Sequence, residues 1–224
     1  MIPILYQDNH CLALDKPAGM LSQGDHTGER SVVDVARDWI KDEFKKPGNV
    51  YIGLVHRLDQ VTSGVVLLAR TSKGASRLSE QFRDGKVGKT YLAMVEGFPA
   101  ADEGEWEDFL WKDEASNVVR TAEPDEPGAR RASLKYRVVE RGRATSTIEL
   151  IPGTGRGHQL RVQLSSRGLP ILGDRKYGAT KALSARDGGL RIALHAMELS
   201  FSHPTKGEPI VVKSPMPRDW PIRL

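Results

Sequence analysis

Apolar and polar side chains alternate along much of this chain, at Lys89 to Val95, Leu134 to Val138, Thr145 to Leu150 and Ile192 to Phe201. A period of two commits those segments to half-buried strands, and they are enriched in β-branched and aromatic residues. Two more short strands, Ile2 to Tyr6 and Cys11 to Asp15, flank the turn residues Asp8 and Asn9. They predict an N-terminal hairpin that stops at the Pro/Gly break of KPAG. Two segments show a clear helical period. In Ser31 to Phe44, Ser31 serves as cap with Asp34 three residues on, and Val32, Val35, Ala36, Trp39 and Ile40 share a face before Pro47 and Gly48. In Ser72 to Asp84, Ala75, Leu78 and Phe82 lie on one side and Gly85 ends the run. Strands outnumber helices without alternating with them, which favours an α+β architecture over a doubly wound parallel sheet.

With 224 residues, 39% hydrophobic and 28% charged, the chain can bury one core or two small ones, and the disordered and fibrous classes are excluded. No internal repeat, low-complexity tract or clear linker divides it, so residues 1–224 read as one domain. The run GVVLLA from Gly64 is too short to span a bilayer, and the N-terminus lacks a signal pattern. A cytoplasmic protein is expected. Cys11 is the only cysteine and the six histidines are scattered. Neither a disulfide framework nor a metal site of usual spacing is expected.

Charge is distributed unevenly. Residues 101–128 carry ten Asp/Glu against two Lys/Arg, a balance of −8, which leaves +12 for the rest of a chain of net charge +4. Residues 129–191 alone carry fourteen Lys/Arg against four Asp/Glu. That suits a surface that grips phosphates and releases their counterions, and equally a solvated basic face. The acidic stretch 100–128, rich in Pro and Gly, reads as an exposed excursion, although Trp106, Phe109, Leu110 and Trp111 require some packing.

Two clusters can carry chemistry. HRLDQVTSG, His56 to Gly64, sets a carboxylate, a guanidinium and two hydroxyls beside the apolar run VVLLA. Asp59 there is a nucleophile or a general base if a pocket orients it, and a turn cap or ion-pair member if not. GTGRGHQLRVQL, Gly153 to Leu164, is a Gly-rich turn leading into a helix or strand that bears Arg161. It lacks the ending of a Walker loop and the spacing of a dinucleotide fingerprint, so nucleotide binding is rejected. An RNA phosphate, an arginine paired with a catalytic carboxylate, or a solvated turn remains. No Gly-x-Ser-x-Gly elbow makes Ser63 a hydrolase nucleophile.

HRLDQVTSG resembles the signature of the RluA-like RNA pseudouridine synthases, His-Arg-Leu-Asp-x-x-Thr-Ser-Gly, without a mismatch. Four further segments occur in that family's order: DKPAGM from Asp15, KTYLAMVEG from Lys89, GRGHQLRVQLSSRGLPILGDRKYG from Gly155, and LHAMELSFSHP from Leu194. The resemblance implies a central mixed, mostly antiparallel sheet with flanking helices and a basic RNA-binding cleft. It implies Asp59 as catalytic aspartate, Tyr91 as active-site tyrosine, and Arg161 as the basic partner of that aspartate. Arg57 matches the arginine inserted where the target base has left the stack. His56, Thr62, Arg156, His158 and Gln159 fall in the same motifs as substrate-binding positions. Gly157 stands where the family usually has Thr, and Gln163 where it usually has His.

The reaction implied isomerises uridine by breaking C1′–N1 and rejoining C1′ to C5. It needs no cofactor. The expected partner is a ribosomal or transfer RNA stem-loop, met by a monomer. A non-catalytic RNA-binding or chaperone protein on the same fold is the alternative, and it would be marked by loss of Asp59, Tyr91 or Arg161. All three are present.

Overall fold

A computed structural model of the chain describes residues 2–183 and 191–221. In chain order the elements are β1 (Ile4–Gln7), β2 (Cys11–Lys16), α1 (Val32–Glu43), β3 (Gly53–Leu54), β4 (Ser63–Ala69), α2 (Ser72–Arg83), β5 (Gly88–Glu96), β6 (Glu103–Asp113), β7 (Val118–Ala122), β8 (Arg130–Arg141), β9 (Thr145–Pro152), α3 (Gln159–Ser165), β10 (Leu194–Ser202) and β11 (Pro209–Lys213). This is the α+β class expected. The chain divides into two compact units, Met1–Lys89 with Ala196–Pro217 and Thr90–His195 with Arg218–Leu224.

The first unit is ordered β1-β2-β4-β10, with β11 on β10 and β3 on β4. β2 pairs antiparallel with both β1 and β4. All seven residues of β4 are buried, as a strand covered on both faces requires. Val65, Leu67 and Ala69 join Cys11, Ala13, Leu78, Leu199 and Phe201 in one core cluster. Val66 and Leu68 point to the opposite face and are fully buried too. α1 begins with the predicted capping box: Ser31 Oγ accepts from the Asp34 amide and the Asp34 carboxylate accepts from the Ser31 amide. It buries Val32, Val33, Ala36 and Ile40, so Val33 takes the place expected for Val35. α2 is capped by Thr71 and followed by Gly85 at φ +70°, the left-handed stop that glycine allows.

The second unit is an antiparallel ladder, β5-β9-β8-β6-β7, with α3 and a short 3-10 turn at Arg175–Tyr177. The acidic stretch 100–128 supplies β6 and β7 here. Their register sets Glu103 opposite Arg137 and Glu105 opposite Lys135. Lys135 pairs with Glu105, Arg131 with Glu107, Arg141 with Asp102 and Arg167 with Asp108. The acidic and basic blocks, separate in sequence, are thus laid side by side across one ladder. Each exposed pair is worth at most about 1 kcal/mol, yet together they consume much of the positive charge of residues 129–191. Arg130 and Arg175 have no carboxylate partner among the described residues; residues 184–190 of that stretch lie outside them.

Candidate active site

Asp59 lies on a turn closed by the Thr62 amide, which donates to the Asp59 carbonyl at 3.0 Å. The neighbouring residues are stitched to the loop after β2. Ser22 Oγ donates to the Leu58 carbonyl at 2.7 Å and accepts the Leu58 amide at 3.1 Å. Gly19 and Gln60 exchange hydrogen bonds in both directions. At the centre is Lys16, fully buried, whose Nζ donates to the carbonyls of Pro17, Met20 and Gln60 at 3.0, 2.6 and 2.9 Å. Three carbonyls match the three N–H bonds of an ammonium. Burial pushes the Lys16 pKa down to about 7, and the Asp59 carboxylate pulls it back up.

Lys16 was given no role by sequence reasoning. The signal was a lysine ending a strand whose first four residues, Cys11 to Leu14, are apolar, where an unpaired charge is costly.

His56 is half-buried. Its ring stacks on Phe82 with centroids 4.6 Å apart, and its Nε2 accepts the Leu67 amide at 2.8 Å. Burial, helped by the charge of Lys89, pushes its pKa down to about 3, so the ring is neutral and ties HRLD to β4. Thr62 is buried. Arg57 is exposed, with no side-chain hydrogen bond or ion pair among the described residues. His56, Arg57 and Thr62, with Asp59, belong to the first unit; the remaining expected site residues belong to the second.

In the second unit, Tyr91 on β5 stands opposite Leu150, which stands opposite Tyr136 on β8. Side chains of directly paired residues share a face. Following that face by twos reaches Ala132 and, across the ladder, Asp108. The Asp108 carboxylate accepts Gln163 Nε2 of α3 at 2.6 Å and pairs with Arg167. Tyr91 and α3 therefore share one face of this unit.

GTGRG resolves into a turn before a helix. Gln159 closes it with four hydrogen bonds: its Oε1 accepts from Thr154 Oγ1 and the Arg156 amide, and its Nε2 donates to the Ser133 carbonyl and Gln163 Oε1. That makes Gln159 a brace for the turn. The left-handed residue is His158, at φ 52°. Its Nδ1 lies 2.6 Å from the hydroxyl of Tyr177, which also accepts the Val119 amide. Arg156 is exposed and donates through Nε to the Arg131 carbonyl. A Cβ on Gly157 would meet nothing within 4 Å. Gly157 therefore answers no steric demand.

Arg161 is buried and held from two sides. Nε donates to Asp174 Oδ2 at 2.7 Å and Nη2 to Oδ1 at 2.9 Å, while the guanidinium carbon lies 4.8 Å from the centre of the Tyr177 ring. Both partners come from GDRKYG, a segment quoted above without a role.

One further set of donors converges, Asp8, Cys11 and His203, with ligand atoms within 4.8 Å of one another. Asp8 accepts the His10 and Cys11 amides through one oxygen and Tyr6 and His203 through the other. His203 Nδ1 accepts the Thr205 and Lys206 amides, so its Nε2 carries the proton given to Asp8. Burial and the charge of Asp8 push the Cys11 thiol up to about 12. This is a strut between two turns, and a cation would have to displace its hydrogen bonds and a tightly held thiol proton.

The family model described as RNA pseudouridylate synthase matches residues 10–166, a span that includes Asp59, Tyr91 and Arg161. The chain belongs to that family. It is 36% identical over 214 residues to the dual-specificity RNA pseudouridine synthase RluA of Yersinia pestis, covering 94% of this chain and 97% of that one. It is 31% identical over 222 residues to the ribosomal large subunit pseudouridine synthase C of Vibrio vulnificus, covering 95% of this chain and 65% of that one. With the synthase D of Xanthomonas campestris the figures are 37% over 229 residues, 96% and 66%. The chain therefore spans just under two thirds of the length of those two relatives. Among solved structures, the human RNA pseudouridylate synthase domain containing 4 shares the fold at TM-score 0.79 and 28% identity, covering 96% of this chain and 88% of that one. No helix among the described residues is long and apolar enough to cross a membrane.

Proposed function

We propose that the protein isomerises uridine to pseudouridine in structured RNA, with Asp59 as the carboxylate that acts on the sugar. The observation that carries this reading is the mounting of Asp59, on a turn whose flanking residues are clamped by the buried Lys16 and by Ser22. A reacting carboxylate must be held still, and backbone anchors on both sides of the turn serve that end. Asp59 attacks C1′ or removes the C2′ proton; both routes begin from the ionised form. Arg161 favours that form by its charge, and Tyr91 serves the detached uracil by stacking or by helping remove the C5 proton.

A base inside folded RNA must be extruded, at a cost of a few kcal/mol. Arg57, exposed and with no side-chain partner among the described residues, fills the gap and offsets part of that cost. His56, Thr62, Arg156, His158 and Gln159 shape the surfaces that meet the RNA, a stem-loop of ribosomal or transfer RNA. The protein works as a monomer in the cytoplasm. The test is Asp59→Asn, assayed by tritium release from C5-labelled RNA and by filter binding. The expected result is loss of release with binding retained. Retained turnover would remove Asp59 from the mechanism.

A further inference from the structure

We propose that Trp106 and Arg167 form a stacking platform for an unpaired base of the RNA, a second subsite on the face that carries Tyr91. This rests on the function proposed above and deepens it. Strand pairing fixes where the platform stands. Tyr91 lies opposite Leu150, Leu150 opposite Tyr136 and Tyr136 opposite Gly104, so one row crosses β5, β9, β8 and β6. Trp106 is two residues on from Gly104 and shares its face. Three strand spacings and two residues along β6 place it about 15 Å from Tyr91, the reach of a nearby loop nucleotide rather than of the target itself.

Two rings and a guanidinium are stacked in order. Tyr136 and Trp106 have ring centroids 4.2 Å apart at 32°, and the Arg167 guanidinium carbon lies 4.5 Å from the centre of the Trp106 ring. Nη1 and Nη2 of Arg167 meet the Asp108 carboxylate at 3.0 and 3.1 Å, and Nη1 also donates to the Gln163 carbonyl at 3.0 Å. Asp108 is held in turn by Gln163 Nε2 at 2.6 Å. Gly168, at φ +70°, turns the chain directly after Arg167. A guanidinium whose charge is met and whose terminal N–H groups are engaged is a poor fork for phosphate. What it keeps is a flat face: one side rests on Trp106, and 28% of the side chain is still exposed. Arginine planes and aromatic rings are the surfaces on which proteins stack splayed-out RNA bases. Hydrogen bonds already lock this plane, so little side-chain freedom is lost when a base settles on it.

The test is a cycle between protein and RNA. The probe is an RNA stem-loop bound by the parent chain, remade with one loop nucleotide at a time abasic, and affinity is read by filter binding. Arg167→Lys keeps the charge beside Asp108 but not the plane. It is expected to weaken binding of the intact stem-loop about tenfold, within the range that one stacked base contributes. Its melting temperature is expected to stay within about 2 °C of the parent. At one loop position the abasic change is expected to cost the parent about tenfold and Arg167→Lys less than about threefold. Parental affinity in Arg167→Lys, the result for a phosphate contact that lysine can replace, overturns the proposal. Equal abasic losses in both proteins at every loop position overturn it too. If Arg167→Lys does not fold, Arg167→Met, similarly long and without a plane, is judged by the same two thresholds. Tritium release by the parent reports separately on the isomerase reading: its absence on every RNA tested overturns that reading, while merged losses at one loop position still uphold the platform.

Discussion

A Cβ on Gly64 would stand 2.2 Å from the carbonyl oxygen of Ala196 and 2.7 Å from its amide nitrogen. The last residue of HRLDQVTSG is glycine because β10 runs against β4 at that point. Its φ of +116° is also one that side-chain-bearing residues rarely adopt. Gly64→Ala must therefore open the β4 to β10 approach or strain the backbone, and each route is costly. The expected result is destabilisation of at least about 3 kcal/mol, the range of severe backbone and packing faults. Urea melts measure it; a loss below 1 kcal/mol would mean that the strands part easily.

Lys16 makes stability depend on pH in a definable direction. Its pKa lies near 7 in the folded chain, against a reference of 10.5. Between those values the unfolded chain holds the extra proton, so stability contributed by this site rises as pH increases from about 7 towards 10. Lys16→Met removes the titration. The parent is expected to gain about 1–3 kcal/mol relative to Lys16→Met between pH 7 and pH 9, at up to about 1.4 kcal/mol per unit. Denaturant melts of both proteins at the two pH values give the difference. A parallel response would show that the three carbonyls keep Lys16 charged throughout.

Gly157 departs from the residue usual in the family, yet no atom lies within 4 Å of the Cβ it lacks. The positive φ of the turn falls on His158 instead. Gly157→Thr should fold unchanged and gain about 0.4–1 kcal/mol by reducing the freedom of the unfolded chain. A rise in melting temperature with turnover preserved is the expected pair of measurements. A fall would reveal a clash that the geometry does not contain.

Arg57 is expected to separate folding from function. Its side chain is exposed and has no partner to lose among the described residues, so Arg57→Ala should leave the melting temperature within about 2 °C, as surface changes usually do. If the guanidinium offsets base extrusion, turnover on structured RNA falls at least about tenfold, since 1.4 kcal/mol is tenfold in rate. The loss should shrink on a single-stranded substrate, where no stacked neighbour must be replaced. Equal losses on both would assign Arg57 to general binding.

The elements legible in sequence were those whose signals are local. The Ser31 and Asp34 capping box, the stop at Gly85 and the β1–β2 hairpin all depend on residues within a few positions of one another. What escaped depends on distant pairing. The fork of Arg161 with Asp174 spans 13 residues and the clamp of Lys16 on Gln60 spans 44. Composition alone could not show that the charge of Glu105 and Glu107 is met by Lys135 and Arg131. Arg57 and Asp59 stood out because they share one short motif. His56 and Gln159 sit in equally marked motifs, yet their side chains brace the backbone.

The first unit is assembled from both ends of the chain, 1–89 and 196–217. During synthesis the β4 edge that receives β10 emerges more than a hundred residues before its partner. Until then an apolar strand with unpaired backbone groups is a template for the wrong neighbour. The second unit is nearly continuous, from Thr90 to His195, and can close first. The Asp59 turn leads directly into β4, so the strand that continues it gains its β10 neighbour only after residues 90–193 have been made.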